Sequence, residues 1–402
     1  MATPLGLPMR RFVITGTVSL AVIGLALAVV QAEPRTTPNA SLRAATLLAP
    51  KTAQLPGWRV VDLTARTGYP GDLLADVAAP DAQDAWAVGS TTADGQALRP
   101  LIRRWDGNSW RTVAAPALPK GTWSASLSLV RAASATDVWA FGIREYGSGG
   151  HQAAFGVHWN GDSWRQTDFG PDTVVYDAAA GGPKGTWITG AVAAGTGSLP
   201  WARRFDGRVW RPVTLPGYVW SLSMRTPGDL WGVGRTLTKP ERPFTVHWNG
   251  HGWLPVSTPP KLRDGREFGF TGVLATGPKE VWATAVPLHG KLINPASVLL
   301  RWDGTVWSHV KIKSIGESLY GLAPDGAGGV WILAQPAAVP FATTWLLHYA
   351  NGRLTRQQAP ARPGARGNLI ALTLIPGTRS LWGAGGLHGP GDTVAAVYKY
   401  GP

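Results

Sequence analysis

Between residues 137 and 166 the chain reads DVWAFGIREYGSGGHQAAFGVHWNGDSWRQ. An apolar run centred on Trp139 gives way to a polar, glycine-rich stretch. A second apolar run then ends in HWNG, and a third opens on Trp164. Short apolar runs separated by turn-forming residues predict strands joined by a loop and a tight turn. The pattern recurs around the chain. A Trp set among small or acidic residues stands at Trp86, Trp139, Trp187, Trp231, Trp282, Trp331 and Trp382, at spacings of 53, 48, 44, 51, 49 and 51 residues. Downstream of the first six comes an aromatic–turn–aromatic motif: RWDGNSW at 104–110, HWNGDSW at 158–164, RFDGRVW at 204–210, HWNGHGW at 247–253 and RWDGTVW at 301–307, with a weaker HYANGRL at 348–354.

Asp-Gly and Asn-Gly between aromatic-rich strands signal hairpins, because Gly and Asn accept the positive φ of tight turns. Periods of this length, built from short strands, are those of β-propeller blades. Each blade is expected to hold four antiparallel strands with the innermost first. The marker Trp falls on the second strand, and the motif joins the third to the fourth.

The seventh copy stops short. After Trp382 the chain gives TVAAVYKYGP and ends without a last strand. At the other end, PGWRVVDL at 56–63 resembles NSWRTVAAP at 108–116. The expectation is therefore an all-β fold, a single seven-bladed propeller over 56–402. Its last blade begins near Asn368 and is completed by the N-terminal strand, which closes the ring and removes open sheet edges.

Ahead of the ring, residues 1–32 read as an export signal or membrane anchor. Arg10 and Arg11 precede an apolar run from Phe12 to Val30, and Val-Gln-Ala resembles a cleavage site. Residues 33–55 are rich in Pro, Thr and Ala and read as a flexible linker. Either use of the leader places the propeller outside the cell, with the arginines on the cytoplasmic side.

Composition sharpens this. The chain has no Cys, which excludes disulfides, a lipid-modified Cys, thiolate metal sites and Cys nucleophiles. Export without disulfides, together with Gly, Ala, Pro and Arg richness, points to a bacterium with a GC-rich genome. Of 21 Trp, most fall on the repeat positions and are expected to pack between blades rather than form a sugar-binding stripe. Formal charge is +14, or +12 without the two leader arginines. Outside a cell that favours anionic wall polymer, acidic polysaccharide or an envelope protein as partner. The basic residues are spread and no nucleic-acid motif occurs, so no nucleic-acid partner is expected. The membrane is expected to be met only through the N-terminal segment, and the ring is expected to be monomeric.

One further regularity lies before the third-strand aromatic, where Arg104, His158, Arg204, His247, Arg301, His348 and Lys399 are all basic. In four blades an acid stands two residues before the marker Trp: Asp84, Asp137, Asp229 and Glu280. Each is expected to bond to its blade's basic residue as a structural tie. The recurring histidines are then poor metal ligands, and neither a metal nor a cofactor is expected.

Over 56–402, the DVWAFG and DLWGVG strands and the WDGxxW and WNGxxW turns resemble the Trp-rich repeat propellers of secreted actinobacterial proteins, a kelch-like or galactose-oxidase-like group. The chain departs from true kelch repeats, which carry a Gly-Gly pair after the second strand. It lacks the Cys that the galactose oxidase copper site needs. The turn partly matches the sialidase Asp-box, itself a structural turn.

Propeller ligands usually sit over the channel, on the face formed by the loops between strands two and three and by the links between blades. Those loops carry Arg144, Glu145, Tyr146 and His151 in blade 2, Lys239, Glu241 and Arg242 in blade 4, and His289, Lys291 and Asn294 in blade 5. Arg263, Asp264, Arg266 and Glu267 precede blade 5, and His388 and Asp392 belong to blade 7. Trp123, Tyr218 and Trp220 lie in links near the same face. The candidate ligand set is Arg144, Glu145, Tyr146, His151, Glu241, Arg242, Arg266, Glu267, His289 and Lys291. The chain is expected to be a binding module for carbohydrate, cell-wall polymer or protein. A polysaccharide lyase or glycosidase using Glu145 and Glu267, and a structural adaptor, are the alternatives.

Overall fold

Every marker Trp lies directly opposite its blade's basic residue across the second and third strands: Trp86 faces Arg104, Trp139 His158, Trp187 Arg204, Trp231 His247, Trp282 Arg301, Trp331 His348 and Trp382 Lys399. The computed structural model describes residues 57–64, 72–92, 97–147, 150–182, 185–195, 197–259, 261–262, 265–288, 297–310, 312, 317–336, 342–390 and 392–402. Within them every regular element is a strand, and the strands form seven four-stranded antiparallel sheets. The expected leader and linker, residues 1–32 and 33–55, lie outside the described residues.

Blades 1 to 6 occupy 73–113, 122–171, 173–213, 217–256, 268–310 and 317–358, each with its strands in sequence order. Blade 7 joins 366–400 to the N-terminal strand Trp58–Leu63, which pairs antiparallel with Asp392–Tyr400, Trp58 opposite Tyr400 and Leu63 opposite Ala396. The innermost strand of each blade neighbours that of the next, and blade 7 neighbours blade 1, so the ring closes. Asp62 of the N-terminal strand reaches on to Arg103 of blade 1, whose guanidinium also holds the Trp110 carbonyl at 3.1 Å and Thr112 at 3.0 Å.

The apolar core lies in the seams. One seam cluster joins Trp86, Val88 and Ile102 of blade 1 to Leu127, Val138, Ala140 and Phe155 of blade 2. Each marker Trp crosses to the aromatics of the following blade. Trp86 meets Trp159 and Trp164 at 5.7 and 5.5 Å, Trp187 meets Trp248 and Trp253 at 5.0 and 5.5 Å, and Trp382 meets Trp105 and Trp110 at 5.1 and 5.2 Å. Trp58 is the outer aromatic of blade 7, set edge-on against Trp331 at 5.6 Å. Near-perpendicular and tilted pairs are the arrangements that ring quadrupoles favour.

Two local features follow from the repeat. All seven inner strands carry a β-bulge at the same register. In five blades the residue three after the marker Trp is a glycine that passes under an inner-strand carbonyl; a Cβ on Gly142 would lie 1.8 Å from the Ser126 oxygen. The motif turns are four-residue loops. The Asp or Asn carboxyl or amide oxygen accepts two backbone N–H bonds, as Asp106 does from Asn108 and Ser109 at 3.0 and 2.8 Å, and the glycine that follows takes positive φ. Only the weak copy in blade 6 is a two-residue turn, with Asn351 and Gly352 both left-handed between the paired Ala350 and Arg353.

Candidate functional site

The acid–base ties form as expected. Arg104 donates to Asp84 at 2.5 and 3.2 Å and Arg301 to Glu280 at 2.9 and 3.2 Å, while His158 and His247 meet Asp137 and Asp229 at 2.8 and 2.9 Å. A fifth tie, His348 to Asp325 at 2.8 Å, uses an acid displaced to six residues before Trp331. His348 holds the Asp325 carboxyl below its ordinary value, against the opposing effect of burial, with the Ala327 and Gly329 amides assisting. The basic group also lies over its marker indole: His158 stacks on Trp139 at 4.2 Å, and Arg104 sits 4.8 Å from Trp86.

A second network lines the inner strands. Arg131 of blade 2 bonds to Asp76 of blade 1 and Asp177 of blade 3, the latter at 2.6 Å. The carboxylates also accept the next blades' amides, Val130 N–H at 2.9 Å and Leu222 N–H at 2.8 Å. Burial works against the Arg131 charge, yet the two carboxylates more than compensate and hold it protonated. Bulge residues extend this lacing. Trp220 donates to the Phe270 carbonyl at 2.8 Å, Thr271 to Leu319 at 2.9 Å and Tyr320 to Leu369 at 2.7 Å.

Antiparallel order puts the loops between strands two and three on the same face as the links between blades, and there the expected ligand residues divide. In blade 2, Arg144 is buried, pairs with Asp168 on the outermost strand and lies 4.3 Å from the Tyr146 ring. Glu145 accepts from Gln152 at 3.4 Å, and Tyr146 opposes His151 with ring centres 5.8 Å apart. These contacts all lie within the sheet of blade 2.

Blade 4 differs. Arg235, at the end of its second strand, bonds to Glu241, and Lys239 donates to the same carboxylate at 2.8 Å. The guanidinium lies 4.9 Å from the Tyr218 ring and 5.9 Å from Trp220. These two cations favour the charged form of Glu241 over the opposing effect of burial and hold its carboxyl below the ordinary value. Mutual bonds between Thr236 and Arg242, at 2.9 and 3.0 Å, close the loop. Burial raises the nearby Tyr176 phenol of blade 3, reinforced by Tyr218 and opposed by Arg235.

Trp220, Arg235, Glu241, Arg242, Phe268 and Leu288 line a cleft of about 40 Å³ at the seam of blades 4 and 5, room for a single small polar group. Glu267 is exposed and precedes Phe268, and its carbonyl accepts the Leu288 N–H at 3.0 Å; Arg266 accepts from the Leu262 N–H at 2.8 Å. Glu241 and Arg242 therefore line this cleft, and Arg266 and Glu267 directly precede its Phe268 in the chain. Glu145 stands in blade 2, separated from Glu267 by blades 3 and 4. His289, Lys291, Asn294, Arg263 and Asp264 lie outside the described residues.

Sequence reasoning did not single out Arg235. Its signal was present, since position four after the marker Trp holds Ser90, Ile143, Ala191, Val286, Gln335 and Gly386 in the other blades and a cation only in blade 4. Among the described residues, no three His, Asp or Glu side chains converge as a metal site.

A propeller ring with a polar and aromatic cleft at one seam is thus the class of protein the structure defines. Neither a protein-family model nor a curated relative matches the chain. Among solved structures it is similar to YCF48 from Cyanidioschyzon merolae, 15% identical over 86% of this chain and 99% of that one, with a TM-score of 0.50. It also resembles a fucose-specific lectin from Aleuria aurantia (14% identity, 67% and 93% covered, TM-score 0.40) and Trypanosoma rangeli sialidase (10% identity, 86% and 60% covered, TM-score 0.46). At these identities the likeness concerns the fold.

Proposed function

We propose that this chain is an exported, non-catalytic binding propeller of a bacterial surface, and that its ligand is an acidic carbohydrate whose carboxylate enters the small cleft at the seam of blades 4 and 5 while the rest lies outside it. The observation that carries this reading is the Arg235 guanidinium, presented on the rings of Tyr218 and Trp220 with Lys239 and Arg242 beside the one carboxylate of Glu241. Sugar rings pack on indole faces such as that of Trp220, which lines the cleft, and a guanidinium recognises a carboxylate in a fork. Side-chain-to-backbone bonds lace the seam, from Trp220 to the Phe270 carbonyl and from the Val273 and Ala275 amides to Ser221 and Ser223, so ligand capture there loses little ordering entropy. The basic chain and the Arg10–Arg11 leader are the basis for the surface location, and the Trp-rich turns for the kelch-like, actinobacterial kinship.

The test is titration of the purified ring with acidic and neutral oligosaccharides. Arg235→Gln and Arg242→Gln should each weaken acidic-glycan binding by about tenfold, the order of one charge-assisted hydrogen bond. Absence of acidic-glycan binding, or binding indifferent to both changes, would overturn the reading.

A further inference from the structure

Four tryptophans stand off the repeat: Trp123, Trp201, Trp220 and Trp345. Three of them are engaged. Trp201 meets Phe169 at 5.7 Å, Trp220 donates to the Phe270 carbonyl, and Arg356 lies 4.8 Å from the Trp345 ring. Trp123 differs. Of the 21 tryptophans it alone, among the described residues, has no ring, cation or hydrogen bond against its side chain, and at 46% it is the most exposed.

The backbone builds that exposure. The inner strand of blade 2, Thr122–Ser134, is the longest of the inner strands. It carries an additional bulge near its start, where Thr122 pairs with Tyr146 and Ser124 with Glu145, leaving Trp123 between them unpaired. The inner strands of the other blades have no bulge so early. A bulge re-aims the side chain it carries. Blade 1 then braces the position. Ser124 Oγ accepts the Leu98 N–H at 3.3 Å, and Arg99 Nη1 donates to the Trp123 and Leu98 carbonyls at 2.5 and 3.1 Å. Arg99 is exposed, and among the described residues no carboxylate pairs with it. Single exposed apolar side chains are ordinary on protein surfaces. An indole set out by its own bulge, with an acid-free guanidinium pinned beside it, offers two complementary contacts at one place.

We infer that Trp123 and Arg99, on the loop face at the seam of blades 1 and 2, form a second subsite for acidic carbohydrate. The apolar C–H face of a uronic sugar packs on the Trp123 indole, which removes apolar area from water. The sugar carboxylate takes the guanidinium donors that the two carbonyls leave open, since a guanidinium has five N–H groups and Nη1 alone is engaged. The choice of ligand rests on the acidic-carbohydrate reading above, whereas the subsite itself owes nothing to Arg235.

The test uses the intact protein labelled with 5-fluorotryptophan, the Trp123 fluorine signal being the one missing from Trp123→Phe. Digalacturonate should shift that signal saturably, and cellobiose, which has no carboxylate, should need a concentration about tenfold higher. Arg99→Gln should raise the half-saturating concentration of digalacturonate about tenfold and leave that of cellobiose unchanged. An otherwise unaltered fluorine spectrum shows that this variant keeps the fold. Arg235→Gln should leave the Trp123 response intact, so the two subsites are read separately and either can fail alone. A Trp123 signal unmoved by digalacturonate, a response indifferent to Arg99→Gln, one equally strong with cellobiose, or one abolished by Arg235→Gln would overturn the inference.

Discussion

The marker indole works on both faces and along its edge. Its blade's basic group covers one side, the next blade's aromatics take the other, and an acid in five blades anchors the basic group. Removing the acid leaves the basic group without its hydrogen-bond partner in a half-buried place. Asp137→Ala should therefore destabilise by about 1–3 kcal/mol, measured by denaturant unfolding, and Asp325→Ala similarly in blade 6. His388 reports a different environment. Burial, with Arg366 adding to it, lowers its pKa to about 4, while Nδ1 lies 2.9 Å from Thr393 Oγ1. Unfolded, the imidazole titrates near its ordinary value of about 6.5, so between these values the unfolded chain binds more protons. Its contribution is present above that value and is lost as pH falls toward 4. His388→Gln should flatten the pH dependence of stability in that window, and an unchanged slope would exclude the assignment.

Strands and turns carry the parts of the fold that a linear reading could reach. Acid–base ties were legible because cross-strand partners recur at fixed spacing from each Trp. Asp325 was not, because its turn shifts the acid by four residues while its side chain still reaches His348. The motif glycines were legible as turns. The amide-accepting Asp and Asn that build those turns were not, since a four-residue loop and a primed two-residue hairpin share the same Asp-Gly or Asn-Gly spelling. Arg131 was invisible for a further reason, because its carboxylates come from the blades before and after, and no local period couples the three. The inner-strand bulge accompanies a glycine after Trp-x-x in five blades, while Ala285 and Ala334 stand there in blades 5 and 6. Gly142→Ala drives a methyl into the Ser126 carbonyl and should cost about 1–3 kcal/mol, the usual range for overpacking, read as a lower melting temperature.

Ring closure was readable because a missing strand at one end matched a spare one at the other. The cleft between blades 4 and 5 was only partly readable: Trp220 stood out as an aromatic in a link, but loops follow no repeat, and Arg235 departs from the repeat. Blade 2 offered a richer loop by composition, yet Arg144 spends its charge on Asp168 within the same sheet. Closure makes the molecule cooperative, since Trp58 is buried against Trp331 and Tyr400, and Asp62 bonds across to Arg103. Trp58→Ala should cost roughly 3–5 kcal/mol, as for other buried aromatics.

The most direct test compares two truncations by thermal unfolding, one beginning at Gly57 and the other at Thr64. The first keeps the closing strand and should melt as a single transition. The second strips the Asp392–Tyr400 edge of its partner and should melt far lower or aggregate. Equal melting temperatures for the two would contradict a ring sealed by its own leading strand.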